Sequence, residues 1–219
     1  MEKKMYNIVI FDLDGTLLNT LEDLKDAVNA ALRQYDYPER DLEEVRNFVG
    51  NGAKVLIERA VPEHTSIEDT KECLESFRAY YKEHCKDKTK PYNSIIELLK
   101  TLREMGIKIG VVSNKFDAAT KELCKDFFQD KIDVAIGETA QISKKPAPDS
   151  VWKAIEELGG EREQAIYVGD SEVDIQTAKN AGIPSVSVTW GFRKKEFLKT
   201  KEPDYIIDTP MELIHILTA

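Results

Sequence analysis

Residues 11–20 read "FDLDGTLLNT" and follow directly on the apolar run "IVI" at 8–10. That run is short, β-branched and near-continuous, as expected of a strand covered on both faces. It ends in Asp12 and Asp14, one residue apart, then Gly15 and Thr16. Asp-Gly is a favoured turn dipeptide. The stretch therefore reads either as a tight turn or as two carboxylates set at a strand tip for chemistry. Ten residues leave both readings open, and the rest of the chain has to choose.

The character of the chain changes after this strand. "LEDLKDAVNAALRQYDY" places Leu21, Leu24, Val28, Ala31 and Leu32 on one helical stripe. "VRNFVGNGAKVLIERAV" and "TKECLESFRAYYKEHC" continue the helical period, broken at Gly50, Asn51 and Gly52. Residues 19–85 are thus expected to form a small all-α insertion. From Lys86 onward, strand and helix patterns alternate: "SIIELLKTLREMG" with a capping-box pattern from Ser94 to Glu97 and a terminal Gly106, "IKIGVVSN", "DAATKELCKDFF", "IDVAIG", "PAPDSVWKAIEELGG", "AIYVGD", "SEVDIQTAKNAG", "PSVSVTWG", "PDYIID" and "PMELIHIL". Such alternation predicts an α/β fold: a doubly wound, parallel, Rossmann-like sheet with right-handed crossovers, formed by residues 1–18 and 86–219 around the inserted helices.

At 219 residues, 42% hydrophobic and 32% charged, the composition is that of a globular protein. No apolar stretch approaches a membrane span and the first apolar run lacks a signal-peptide pattern, so no membrane partner is expected. Three separated cysteines, Cys73, Cys85 and Cys124, argue against a disulfide framework or structural zinc and fit a reducing cytoplasm. A formal net charge of −9 makes a nucleic-acid polymer an unfavourable partner. A small phosphorylated substrate remains compatible, because one metal ion and a few cations can dominate a local field.

Ligands of doubly wound sheets bind beyond the carboxyl ends of the strands. Asp12 and Asp14 stand at one such end and Ser113 and Asn114 at the next. Lys144 and Lys145 follow the "IDVAIG" strand, and Asp170, with Asp174 one helical turn on, follows "AIYVGD". Each has a structural explanation when taken alone, as turn former, helix cap or solvated charge. Together, three carboxylates on adjacent strand tips would repel one another unless a cation lay among them. Mg²⁺ suits such a site, using one or two carboxylates plus substrate phosphate. Lysine, hydroxyl and helix-start amides on the same rim are phosphate ligands. Metal, phosphate and a free carboxylate are the equipment of phosphoryl transfer through an aspartyl phosphate.

The motifs "DLDGT" (12–16), "VVSNK" (111–115), "KKPAPD" (144–149) and "GDSEVD" (169–174), in this order at strand ends, resemble those of the haloacid dehalogenase-like hydrolases. The resemblance covers essentially the whole chain, including the position of a small helical cap between the first two motifs. It implies that Asp12 attacks phosphorus, and that Asp14 protonates the leaving oxygen and then activates water. It further implies that Mg²⁺ is held by Asp12, the Asp14 backbone carbonyl and Asp170. Asp174 would orient water or Lys145. Ser113, the Asn114 amide and Lys145 would hold the phosphate, with Thr16 giving a supporting hydrogen bond. An aspartate two residues after the nucleophile is absent from the family's dehalogenases and phosphonate hydrolases, so Asp14 points to phosphate esters or anhydrides.

The segment "VRNFVGNGAKVLIERA" (45–60) is similar to the cap of bacterial phosphoglycolate phosphatases, which implies 2-phosphoglycolate as substrate and a loop at Gly50, Asn51 and Gly52 that closes over it, the other reading of these glycines being a helix–helix turn; Arg46 is a candidate for the substrate carboxylate on its chemistry alone. Arg46 could pair with the substrate carboxylate or simply lie on a solvated helix face, and Lys115 could serve either role. The same core motifs serve pyrophosphatases, nucleotide or sugar-phosphate phosphatases and sugar-phosphate mutases. A catalytically silent phosphometabolite sensor would be expected to lack one of the two aspartates that this chain retains. Oligomeric state has no signature in the sequence.

Overall fold

The structure, a computed structural model, describes residues 6–219. Ile8–Phe11 forms β1, fully buried because it lies inside the sheet with a parallel neighbour on each side. Ile8 and Ile10 pack into a cluster with Val151, Ala154 and Ile155 on one helix and Ala178 and Ala181 on another. By the alternation of strand side chains, Val9 and Phe11, equally buried, face the opposite side. A strand apolar on both faces needs cover on both faces, and that requirement is what the unbroken "IVIF" run encodes.

The elements follow in chain order. β2 (Leu18–Asn19) is followed by four helices, α1 (Leu21–Arg33), α2 (Leu42–Phe48), α3 (Gly52–Ala60) and α4 (Ile67–His84). Then come β3 (Lys90–Pro91), α5 (Ile95–Glu104), β4 (Lys108–Phe116), α6 (Asp117–Phe128) and β5 (Val134–Glu138). The chain closes with α7 (Asp149–Glu157), β6 (Ala165–Gly169), α8 (Glu172–Ala181), β7 (Ser185–Val188), α9 (Lys195–Lys199), β8 (Tyr205–Ile207) and α10 (Glu212–Thr218). Six strands make one sheet in the order β5-β4-β1-β6-β7-β8, and every pairing is parallel. Phe11 lies opposite Val111 of β4 and Val168 of β6. The residues just beyond these three positions therefore emerge side by side at one edge. The register of β4 with β5 is irregular between Val112 and Phe116, so the strand runs two residues past Asn114 with its tip bent.

The chain divides into two compact units, one made of the described residues up to Leu18 together with Pro91–Ala219, the other of Asn19–Lys90. In the second unit α1 packs on α2 and α4, and α3 on α2 and α4. Its core is Leu24, Ala27, Val28, Ala31 and Leu32 with Leu56, Ile57, Cys73 and Phe77. Asp41 opens α2 with a reciprocal capping box, its carboxylate accepting from the Glu44 amide at 2.8 Å while Glu44 accepts from the Asp41 amide at 2.8 Å. Gly50 at φ +123° and Gly52 at φ +84° break the helices where the sequence places a break, in conformations that a side chain would strain.

Three local expectations change. The return to the sheet unit comes at Pro91, not Lys86, because 88–89 is tied to α1. The buried Asp23 carboxylate accepts from the Lys88 amide at 2.9 Å and the Thr89 amide at 2.8 Å. The capping box at Ser94 is not formed: Ser94 sits at φ +62°, and its side chain makes no capping bond. A capping hydroxyl needs extended backbone to reach the helix amides. α9 has too short a period to be seen in sequence. Among the described residues no helix is long and apolar enough to cross a membrane.

Asp23→Ala would leave the buried Thr89 amide and the partly buried Lys88 amide without their acceptor, and is expected to destabilise the helical unit by about 2 kcal/mol. Urea unfolding, with faster hydrogen exchange at the Lys88 and Thr89 amides, checks this.

Candidate active site

At the tip of β1 the chain turns within 13–18. The Leu13 carbonyl accepts from the amides of Leu17 and Leu18 at 3.0 Å each, and the Gly15 amide donates to the Leu18 carbonyl at 2.8 Å. Gly15 takes φ +89°, and a Cβ there would lie 2.5 Å from Asp170 Oδ2. Turn and carboxylate pair are thus one feature: the turn exists, and it presents Asp12 and Asp14 at the strand tip.

Lys145 is the hub of the site. Its Nζ lies 2.9 Å from Asp12 Oδ1, 2.8 Å from Asp174 Oδ1 and 3.0 Å from the Tyr167 hydroxyl, and the lysine is 5% exposed. Burial works against its charge, yet the flanking carboxylates of Asp12 and Asp174 hold its pKa well above the ordinary lysine value. Asn114 fixes the backbone of this lysine: its Oδ1 accepts from the Lys145 amide at 2.9 Å and its Nδ2 donates to the Lys145 carbonyl at 3.1 Å. The Asn114 side chain is therefore committed to positioning Lys145. Any direct phosphate contact from this residue falls to its backbone amide. Lys144 turns away, to Glu138 at 2.7 Å.

Asp174 spends both oxygens on structure. Oδ1 accepts from Lys145 and, at 3.2 Å, from the Tyr167 hydroxyl; Oδ2 accepts from the Ser171 hydroxyl at 2.6 Å and the Ser171 amide at 3.1 Å. Ser171, and not Asp170, is the cap of α8. Asp170 is freed to face β1. Its Oδ2 accepts from the Phe192 amide at 2.7 Å, and Thr16 donates to Oδ1 at 3.3 Å. A Cβ on Gly191 would also collide with Asp170, so two glycines, 15 and 191, leave the space this carboxyl fills. Burial, reinforced by Asp174, pushes Asp170 up to about 7. Burial likewise raises Asp12 well above the carboxylate range, with Lys145 opposing it.

Asp14 has a lysine of its own. Lys115 Nζ lies 3.1 Å from Asp14 Oδ2, with the two side chains 6% and 14% exposed, while Asp14 Oδ1 is buried without a hydrogen-bond partner. Ser113, buried beside them at the bent end of β4, accepts from the Lys115 amide at 3.2 Å.

These groups carry an excess of negative charge. Asp12, Asp14 and Asp174 meet Lys115 and Lys145, while Asp170 feels Arg193, a guanidinium already paired with Glu172; one divalent cation would balance the formal excess of the four carboxylates over the two lysines. Oxygens of Asp12, Asp170 and Asp174 lie within 4.8 Å of one another. Because Asp174 is already saturated, Asp12 and Asp170 are the carboxylates fitted to hold the cation. A hard oxygen-only donor set suits Mg²⁺.

The residues brought together are Asp12, Asp14, Thr16, Ser113, Asn114, Lys145, Asp170 and Asp174, all in the sheet unit. Arg46, Gly50, Asn51 and Gly52 belong to the helical unit. There Arg46 lies 3.4 Å from Glu43, and Asn51 precedes α3 without a capping bond from its side chain. Three participants were not singled out by motif: Tyr167, Gly191 and the pairing of Lys115 with Asp14. The only sequence signal for Tyr167 is a polar tip on an otherwise apolar buried strand, and Gly191 shows none beyond being a glycine after a strand.

Comparison with known proteins gives these residues a context. Residues 9–188 match the haloacid dehalogenase-like hydrolase family. The phosphoglycolate phosphatase of Aquifex aeolicus is 32% identical over 211 residues, covering 96% of both chains. That of Pseudomonas savastanoi pv. phaseolicola is 34% identical over 222 residues, covering 96% of this chain and 79% of its own. A solved structure from Lactobacillus delbrueckii subsp. bulgaricus, provisionally named a phosphoglycolate phosphatase, superposes with a TM-score of 0.93 at 36% identity, covering 97% of this chain and 98% of that one. With a match of this extent and a site built from the family's motifs, the chain belongs to the haloacid dehalogenase-like hydrolase family.

Proposed function

We propose that this enzyme is a Mg²⁺-dependent phosphatase that hydrolyses 2-phosphoglycolate through an aspartyl phosphate on Asp12. Phosphoric monoester hydrolysis is the reaction class of its named relatives. The observation that carries the reading is the pair of carboxylates at one strand tip, each held by its own buried lysine, with Asp170 alongside.

In this reading Asp12 attacks phosphorus, forming the bond from its carboxylate oxygen to phosphorus as the ester bond to the leaving oxygen breaks. Asp14 gives that oxygen a proton and later takes one from the water that cleaves the acyl phosphate, returning Asp12 as carboxylate. Lys145 keeps Asp12 oriented and offsets charge on the transferring group. Ser113 and the Asn114 amide hold phosphate oxygens. Mg²⁺ would be held by Asp12, Asp170 and the backbone carbonyl of Asp14, and would supply charge neutralisation at the phosphate. The side chain of Asp14, turned to Lys115, is thereby kept for proton transfer. The helical unit serves as the cap, with Arg46 and the 50–52 loop assigned to substrate selection. The similarity of 45–60 to phosphoglycolate phosphatase caps supports this assignment.

Phosphate release with and without Mg²⁺, compared as kcat/KM across 2-phosphoglycolate, pyrophosphate, nucleoside monophosphates and hexose phosphates, tests the reading. A clear preference for 2-phosphoglycolate is expected, and a preference for any other compound replaces the substrate. No Mg²⁺-dependent release from any of them would overturn the reading in favour of a silent binding protein.

Asp12→Asn should lower turnover by on the order of 10³-fold or more while the protein still folds by circular dichroism, because Lys145 retains Asp174. Near-normal activity would remove Asp12 from the mechanism. The buried carboxyl of Asp170 also predicts a pH effect. Its folded value of about 7 lies above that of an unfolded aspartate, so its contribution to stability is full below the unfolded value and is lost as pH rises through about 7. Metal-free protein is therefore expected to lose stability between pH 5 and 8 (on the order of 1 kcal/mol or more). Mg²⁺ should raise the thermal midpoint more at pH 8 than at pH 5, because the proton and the cation compete for the same carboxylate.

A further inference from the structure

We propose that Lys115 binds the carboxylate of the substrate and so selects a short phosphorylated acid. This rests on the reading of Asp14 as the acid for the leaving oxygen, and it adds to Arg46 and the 50–52 loop a selecting residue within the sheet unit, beside the acid itself.

The site contains two buried lysines with different partners. Lys145 is enclosed by Asp12, Asp174 and the Tyr167 hydroxyl, which ties it to the nucleophile and the phosphate side. Lys115 is instead tied to Asp14, the proposed acid for the leaving group, with its Nζ 3.1 Å from Asp14 Oδ2. The other oxygen of Asp14, Oδ1, is buried and has no hydrogen-bond partner. A buried carboxyl oxygen without a partner costs free energy, and a protonated Oδ1 finds the acceptor it lacks in the ester oxygen of the substrate. Oδ1 is therefore the oxygen that meets the leaving group, while Oδ2 stays with Lys115.

The consequence follows from covalent geometry. In 2-phosphoglycolate a single methylene separates the ester oxygen from the carboxylate, whose nearer oxygen lies roughly 3 Å from the ester oxygen. With the ester oxygen on Asp14 Oδ1, the carboxylate falls close to a cation already in contact with Oδ2. An ammonium has three N–H donors, so Lys115 can hold Asp14 and a second carboxylate together. A second anionic group entering this enclosed rim requires a cation of this kind, since an unpaired buried carboxylate is strongly disfavoured. A leaving group with a neutral alkyl chain would gain nothing from the same ammonium.

The test compares kcat/KM for 2-phosphoglycolate with that for ethyl phosphate, which has the same ester linkage and no carboxylate. Whatever Lys115→Met does to the shared chemistry through Asp14 cancels in the ratio. Wild-type enzyme should favour 2-phosphoglycolate, and K115M should lose roughly 10- to 100-fold of that preference, mainly through KM. Lys115→Arg should retain more of it than K115M. A wild-type enzyme without the preference overturns the substrate reading itself. A wild-type preference that K115M keeps overturns the role of Lys115 alone. Circular dichroism and the thermal midpoint show whether K115M folds. If it does not, wild-type enzyme is compared on 2-phosphoglycolate and on the phosphate ester of 3-hydroxypropionate, in which one more methylene carries the carboxylate away from Lys115. A fall of about 10-fold or more in kcat/KM supports the assignment, and equal use of both acids overturns it.

Discussion

A lysine buried between two carboxylates organises the catalytic edge of this protein. Burying an ammonium is tolerated only where opposite charge meets it, and Lys145 has Asp12 on one side and Asp174 on the other. Each partner has a second structural duty: Asp12 continues β1, and Asp174 closes the capping box of α8 with Ser171. Asn114, from the end of β4, holds the lysine backbone by both its amide and its carbonyl. One side chain thus ties together β1, β4, β6 and the helix after β6. Removing either carboxylate would leave a buried charge short of a partner in the middle of the site.

The charge that Lys145 does not neutralise gives the site its chemistry. Asp170 is pressed against β1 by two glycines that leave room for it, and held by the Phe192 amide and the Thr16 hydroxyl. Its carboxyl is shifted upward because burial and Asp174 both oppose its ionisation. A parallel sheet delivers these groups without strain, since parallel strands end at the same edge. The register between Phe11, Val111 and Val168 brings the tips of β4, β1 and β6 level.

Two aspartates separated by one residue end up in different surroundings. Asp12 is engaged by Lys145 within the hub, and Asp14 by Lys115, with one oxygen left unpartnered. Different environments for two like groups are what permit different roles, as in the proposed division into nucleophile and proton carrier. The bend at the end of β4 matters here. Over 113–115, consecutive residues offer a buried hydroxyl, hold the Lys145 backbone and pair with Asp14 in turn.

The sequence by itself determined the α/β alternation, a helical insertion after the first strand, and the strand ends followed by Asp12, Asp14, Ser113, Asn114 and Asp170, with Lys145 in a loop and Asp174 on a helix beyond them. Apolar periodicity and glycine placement are local properties of the chain, and they report directly on which face is buried and where an element stops. Only the tertiary structure decided who pairs with whom. Asp23 reaching 88–89, Asn114 clamping Lys145, Tyr167 joining the hub and Lys115 choosing Asp14 each join residues that are distant in sequence. Ser94 shows the same limit in reverse: a capping pattern satisfied in sequence is cancelled because the entering chain takes a left-handed turn. Pairings of this kind depend on strand register and loop path, which are settled by packing across the whole sheet and leave no trace in any single segment.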